Sequence, residues 1–337
     1  MIALDLFAGT GWGVACQRLG IEEYGVEIMP EAVATRSENG MQTIYGDVWD
    51  GLEGEATMPD YDMLIASPPC QTFSVAGSGA GRKALDDVLE AIREQAHLNP
   101  DTLRALGEKH DPRTALVLTP LAYVARDKPT YVVFEQVPPV LPVWEACAEV
   151  MRRWGYSVWT GNLQAEMYGV PQTRKRAILI ARADGKDAEP PTPTHSRYYS
   201  RDPKRLDPGV LPWVSMSEAL GWSTGSRSRS RVMRSNYSAG GSPGATARER
   251  GRSMRDDDKP SFVMTGKPGH WLDVHSEETG LKTMNQSARS VTIAEAAALQ
   301  SYPAGFEFCG TKTKQFLQVG NAVPPLLAET ILRGFLE

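Results

Sequence analysis

The sequence predicts an α/β fold, a doubly wound and mostly parallel sheet with a smaller irregular region attached. Short apolar runs alternate with helical patterns from Met1 to about Ala181, the sequence form of strands covered by helices. Prolines open and glycines close several of those helical patterns, each where its backbone fits. From about Asp184 the composition shifts to PPTPTHSRYYSRDPKR and then to Gly, Ser and Arg, leaving few apolar residues for a regular sheet.

Ile2 to Phe7 reads as the first strand and Trp12 to Leu19 as a short helix stopped by Gly20. Tyr24 to Ile28 reads as a second strand, followed by a helix opened by Pro30 and closed by Gly40. Gln42 to Tyr45 and Met63 to Ala66 supply two more strands, and YVVFEQV, Tyr131 to Val137, another. Pro142 to Trp154 follows as a helix, with strands at Tyr156 to Thr160 and Ala177 to Ala181. Helical pattern returns at Ile293 to Leu299 and Pro325 to Leu336.

With 337 residues, 41% hydrophobic and 23% charged, the chain can bury one large core and a smaller second one. Cys16, Cys70, Cys147 and Cys309 form no CxxC pair, which disfavours a zinc site or a disulfide framework and suits a reducing cytoplasm. The apolar start IALDLFAG lacks a basic leader and breaks too early to span a bilayer, so no export and no membrane insertion are expected. The net charge of −5 argues against a surface coated in nucleic-acid contacts. Between Trp222 and Arg255, however, eight arginines stand against the single acid Glu249, which makes a local basic arm.

In an open parallel sheet, ligands collect beyond the carboxyl ends of the strands. The successive strand ends carry Gly9, Glu27, Asp47, Cys70 and Glu135: a glycine turn, two acids suited to a nucleotide-like ligand, a potential nucleophile and a further acid. Singly, each has a plain structural explanation, since a random cysteine is usually a small buried hydrophobe and acids at strand ends are usually solvated. Five such explanations in succession are less economical than one site. The turn FAGTGWG has the spacing GxGxG, and Val14 stands where a dinucleotide fingerprint needs its last glycine, so a nicotinamide dehydrogenase is disfavoured. In SPPCQTFS, Pro68 and Pro69 set the direction of the chain as it leaves its strand.

Taken in order, the motifs resemble those of the DNA (cytosine-5) methyltransferases. DLFAGTGWG resembles that family's S-adenosylmethionine loop, SPPCQTFS its nucleophile loop and FEQVP the motif bearing its catalytic glutamate. YGVPQTRKRAILIA resembles the QxRxR motif, RSVTIAEAAALQSYP a late scaffold motif and QVGNAVPP the closing motif. The resemblance covers Met1 to Arg182 and Asn285 to Glu337. It implies a Rossmann-like, class I S-adenosylmethionine-dependent fold. The implied domains are a catalytic and cofactor-binding domain over 1–183, a target-recognition domain over 184–284, and a C-terminal segment over 285–337 that returns to the first.

Carbon 5 of cytosine is a poor nucleophile until a thiolate adds at carbon 6, and Cys70 is the candidate for that addition. Glu135 suits hydrogen bonding or protonation at ring nitrogen 3. Arg174 and Arg176 suit the base carbonyl and the developing charge, with Arg176 favoured by the family motif. The resemblance implies that S-adenosylmethionine, leaving as S-adenosylhomocysteine, contacts Phe7, Gly9, Gly11, Glu27, Ile28, Asp47, Val48, Pro69, Asn321 and Val323, and that no metal takes part. A base inside a duplex cannot reach such a nucleophile, so the target cytosine must flip out. Double-stranded DNA is the implied partner, with Gln71, Ser74, Gln172, Arg227, Arg229, Arg231 and Arg234 as candidate contacts. The setting implied is restriction-modification or protection of phage or host DNA. There a monomer in a prokaryotic cytoplasm would share its sites with a restriction endonuclease without touching it.

Three departures from the family pattern bear on geometry. Gln136 replaces the usual asparagine, the link from Ser74 to Thr114 is long with a charged helical pattern over Leu85 to Glu94, and Ala294 replaces a common arginine. Three other readings compete: a tRNA cytosine-5 methyltransferase, an amino-methyltransferase and a catalytically silent DNA-binding protein. The first lacks its Cys-Phe-Thr signature here, the second would want Tyr or Phe in place of Cys70, and the third would have lost Cys70, Glu135 or an arginine of QxRxR.

Overall fold

The computed structural model describes residues 1–69, 85–109, 111–222, 229–238, 252–276 and 282–337. They form two compact units. The first comprises Met1–Leu163, Lys175–Thr192 and Ala328–Glu337, and the second Gln164–Arg174 and Pro193–Leu327.

The first unit is built on a seven-stranded sheet of β1 (Ile2–Leu6), β2 (Glu22–Val26), β3 (Gln42–Tyr45), β4 (Met63–Ala66), β5 (Tyr131–Gln136), β6 (Ser157–Gln164) and β7 (Lys175–Arg182), in the order β3-β2-β1-β4-β5-β7-β6. Strands β3, β2, β1, β4 and β5 pair in parallel, so their carboxyl ends lie along one edge. The central strands IALDL and MLIA are covered on both faces, which is why they read as nearly unbroken apolar runs rather than alternating ones. β2 ends two residues earlier than expected, which leaves Glu27 and Ile28 beyond the sheet.

Strand β7 runs antiparallel to β5, with Gln136 opposite Ala177 and Glu135 opposite Ile178. Its amino end therefore lies beside the carboxyl end of β5. The helix Leu141–Arg153 packs behind these strands: Trp144 lies 5.3 Å from the Phe134 ring, and its Nε1 donates to the Ala177 carbonyl at 3.3 Å. Within and just after the long link stand the helices Leu85–Arg93, Pro100–Lys109, Pro112–Leu116 and Thr119–Asp127, whose Val88, Ile92, Leu103 and Leu121 join the same core.

In the second unit the structure departs from the expectation of few regular elements. Four antiparallel strands, β8 (Arg229–Ser238), β9 (Arg252–Asp256), β10 (His270–Ser276) and β11 (Lys282–Ser290), form a sheet in the order β11-β10-β8-β9. An antiparallel ladder needs only a modest apolar face. Val232 pairs with Leu272 on one face and Met233 with Trp271 on the other, where Trp271 meets Trp222 edge to face at 4.8 Å. Trp271 Nε1 donates to Glu295 Oε2 at 3.2 Å, and Glu295 also closes a capping box with Thr292 on the helix Ile293–Leu299. Among the described residues no helix is long and apolar enough to cross a membrane.

Candidate active site

Beyond β1 the chain turns sharply. Phe7 has φ 58° and Gly9 φ 47°, both left-handed, a conformation that is costly for phenylalanine and open to glycine. No atom lies within 4 Å of where a Cβ on Gly9 would sit, so the turn presents bare backbone to open space. Helix α1 (Gly11–Leu19) starts at once and aims its first amides at the same region. Glu27 ties the turn to β2, Oε2 accepting from the Gly9 N–H at 2.9 Å and Oε1 from the Met29 N–H at 2.8 Å. Each carboxylate oxygen retains a second lone pair for a ligand hydroxyl. Beside Glu27, Ile28 is 69% exposed, an apolar side chain suited to a flat ring. After α2 (Pro30–Glu38), Asp47 caps α3 (Val48–Glu53) by accepting from the Trp49 N–H at 3.1 Å, and Val48 is buried beneath it. A glycine turn facing open space, a carboxylate with spare lone pairs and an exposed apolar side chain lie at adjoining strand ends, a set that could hold a nucleotide-like ligand.

A second group of candidate residues lies two strands from β1. Glu135, next to last in β5, is 4% exposed, and its Oε1 meets Arg176 Nε at 2.8 Å. The antiparallel run of β7 makes this pairing possible, and Arg176 Nη1 is further held by the Lys175 carbonyl at 2.8 Å. Gln136 Nε2 donates to the Pro68 carbonyl, while its Oε1 accepts from the Val137 N–H. The glutamine thus spans from the end of β5 to the proline pair that follows β4. From the other side, Trp12 Nε1 donates to Ser67 Oγ at 2.9 Å, and the Ser67 N–H donates to the Leu6 carbonyl at 3.2 Å. Pro68 is buried and Pro69 half-buried. The segment that delivers Cys70 is therefore fastened to both the glycine turn and the glutamate strand. Cys70, Gln71, Ser74 and Arg227 lie outside the described residues.

Gln172 and Arg174 are buried, and both are committed within the second unit. Gln172 Nε2 donates to Gln300 Oε1 and to the Leu299 carbonyl, and its Oε1 accepts from the Met264 N–H. Arg174 donates to the carbonyls of Met264, Gly320 and Ala322 at 3.3, 3.0 and 2.9 Å. These bonds bind the QxRxR segment to the closing motif. Asn321 is exposed at the end of the helix Lys312–Asn321, and Val323 is buried two residues on. Arg229, Arg231 and Arg234 lie on β8, with the Arg231 guanidinium 4.2 Å from the Trp222 ring centroid. Among the described residues no group of three or more His, Cys, Asp or Glu is arranged to hold a metal ion.

Sequence reasoning overlooked Trp12 and Ser67, whose bond joins two motifs, and Arg36, buried beneath the glycine turn. No local spacing announces either arrangement. Only the identity of Trp12 inside FAGTGWG, where a small residue would serve a bare turn, was an available signal.

A family model described as C-5 cytosine-specific DNA methylase matches residues 1–337. The chain is 29% identical to the Type II methyltransferase M1.HphI of Haemophilus parahaemolyticus, covering 99% of this chain and 86% of that protein. It is 26% identical to the Type II methyltransferase M.AplI of Arthrospira platensis, covering 99% and 85%. Among solved structures, the Dnmt2 methyltransferase of S. pombe matches with TM-score 0.56 at 15% identity, covering 100% of this chain and 98% of that one, a likeness of fold.

Proposed function

The chain belongs to the C-5 cytosine-specific DNA methylase family and is a DNA cytosine-5 methyltransferase, and from that premise we propose how its residues divide the work. The observation that carries the assignment is the buried Glu135–Arg176 pair, fastened through Gln136 to the proline pair before Cys70.

The Cys70 thiolate adds to carbon 6 of an extruded cytosine while ring nitrogen 3 takes a proton or a strong hydrogen bond from Glu135. Arg176 orients that carboxyl and places positive charge beside the ring, where a water-poor setting strengthens its effect. S-adenosylmethionine, when bound, supplies an electrophilic methyl group. Carbon 5, made electron-rich by the addition, would take the methyl with S-adenosylhomocysteine as leaving group; loss of the carbon 5 proton to water would then expel the Cys70 thiolate and restore the ring. Phe7, Gly9, Gly11, Glu27, Ile28, Asp47, Val48 and Pro69 would hold the cofactor.

The substrate is DNA, read by a target-recognition region over 184–284 with Arg229, Arg231 and Arg234 as candidate phosphate or guanine contacts. The relatives' description as Type II methyltransferases supports a restriction-modification setting in a bacterial cytoplasm. In that setting a monomer protects sites that a separate endonuclease cuts.

Incubation of the purified chain with labelled S-adenosylmethionine and mixed-sequence DNA, followed by bisulfite mapping, should give 5-methylcytosine in one context. Product in no context would overturn the reading. Cys70→Ala should abolish transfer and leave cofactor binding within about twofold, as expected of a residue used only in the chemical step.

A further inference from the structure

Beneath the glycine turn lies a fully buried arginine that no motif accounts for. Arg36, on α2, has no solvent exposure, yet it reaches three neighbouring elements. Its Nη2 donates to both oxygens of Glu23 on β2, at 2.7 and 2.9 Å, and to the Gln42 carbonyl at 2.6 Å. Its Nε donates to Thr43 Oγ1 on β3 at 3.0 Å. Its Nη1 donates to the carbonyl of Gly9 at 3.1 Å. A buried charge is tolerated only when so fully partnered.

The space for this guanidinium is reserved by the sequence. A Cβ on Gly25 would overlap Arg36 Nη2 and Cζ, so β2 carries glycine where its neighbours in the sheet carry side chains. Gly25 lies opposite Asp5 of β1, and Asp5 and Glu23 are both pushed up chiefly by burial, Arg36 acting against this in each.

The Gly9 contact gives the cluster a functional bearing. Glu27 holds the Gly9 N–H and Arg36 holds its carbonyl, so both polar groups of one left-handed residue are fixed. In a trans peptide the carbonyl and the following N–H point opposite ways, so drawing the Gly9 carbonyl inward turns the next amide toward the other side of the turn. We infer that Arg36 is a positioning residue for cofactor binding, acting through the orientation of the Gly9 peptide. This rests on the assignment of the glycine turn to S-adenosylmethionine.

The test measures S-adenosylmethionine binding to the full-length chain by titration calorimetry, and steady-state methylation with cofactor and DNA varied separately. Arg36→Lys keeps the charge but cannot reach Gly9, Glu23 and Thr43 together. It should weaken cofactor affinity and raise its KM by about tenfold, with kcat at saturation and KM for DNA within about twofold. Thr43→Val, which removes one acceptor at nearly constant volume, should shift the cofactor constant alone by about threefold, and it decides the matter where Arg36→Lys does not fold. Folded variants that keep wild-type cofactor affinity while melting earlier would overturn the inference, leaving Arg36 a stability device. A wild-type chain that does not bind S-adenosylmethionine would overturn the cofactor assignment itself, and the inference with it.

Discussion

Arg176 Nε meets Glu135 Oε1 at 2.8 Å across two strands that run in opposite directions. Both side chains are nearly buried, so the pair is shielded from the screening that makes exposed ion pairs weak. Removing one partner would leave the other uncompensated. Glu135→Gln should lower kcat by about 10²- to 10⁴-fold, the range for loss of a general acid, while cofactor affinity stays near wild type. Single-turnover methyl transfer beside calorimetric binding checks this; an unchanged transfer rate would remove Glu135 from the chemistry.

Gln136 offers a milder perturbation. Its amide joins β5 to the Pro68 carbonyl, so Gln136→Ala frees the segment leading to Cys70 from one side. The expected outcome is about a tenfold loss in kcat with about 1 kcal/mol of destabilisation, as for one buried hydrogen bond. Gln136→Asn, the residue usual in the family, should recover part of that rate if amide chemistry rather than reach is what matters.

Gly320, in QVGNAVPP, packs on the backbone of the second unit. A Cβ there would overlap the Thr265 carbonyl carbon and the Gly266 nitrogen. Alanine favours helix by about 1 kcal/mol over glycine, but backbone atoms cannot swing aside as a flexible side chain can. Gly320→Ala should therefore destabilise the chain by about 1–3 kcal/mol in denaturant unfolding. A stabilised variant would show that the Thr265–Gly266 backbone yields.

Burial pushes the Glu166 carboxyl up to about 7 from an ordinary 4.5, against the opposing backbone amides of Glu166 and Arg174 and the charges of Arg197 and Arg255. Between those values the unfolded chain ionises while the folded chain keeps its proton. Stability from this group therefore falls as pH rises from about 4.5 to about 7, by up to about 3 kcal/mol, and is level above. Glu166→Gln should abolish that dependence and gain on wild type across the window. Denaturant midpoints at pH 5 and pH 7.5 test it: a wild-type-minus-variant difference that is the same at both would refute the buried proton.

Much of the fold was legible locally. The strands Gln42–Tyr45 and Met63–Ala66 and the helix Ile293–Leu299 occupy the residues their patterns indicated, because doubly covered strands must be apolar throughout and caps such as Thr292 are local. The sheet of the second unit was not legible: it draws on scattered pairs such as Val232 and Leu272, separated by polar sequence whose composition resembles a linker. Of the QxRxR segment, the resemblance favoured Arg176 for the base carbonyl and the developing charge. The burial of Gln172 and Arg174 depends on Met264, Gln300 and Gly320, all more than 85 residues away in the chain.

The sequence by itself determined that successive strand ends would carry Gly9, Glu27, Asp47, Cys70 and Glu135, since parallel β-α units send every such end to one edge. Only the tertiary structure decided that β7 reverses to bring Arg176 to Glu135, that Gln136 and Trp12 fasten the two sides of the Ser67–Pro68 segment, and that Arg36 lies under Gly9. The physical reason is that chain direction and hydrophobic period are encoded in neighbouring residues. A hydrogen bond between side chains dozens of positions apart exists only once packing has removed the water that would otherwise satisfy both partners.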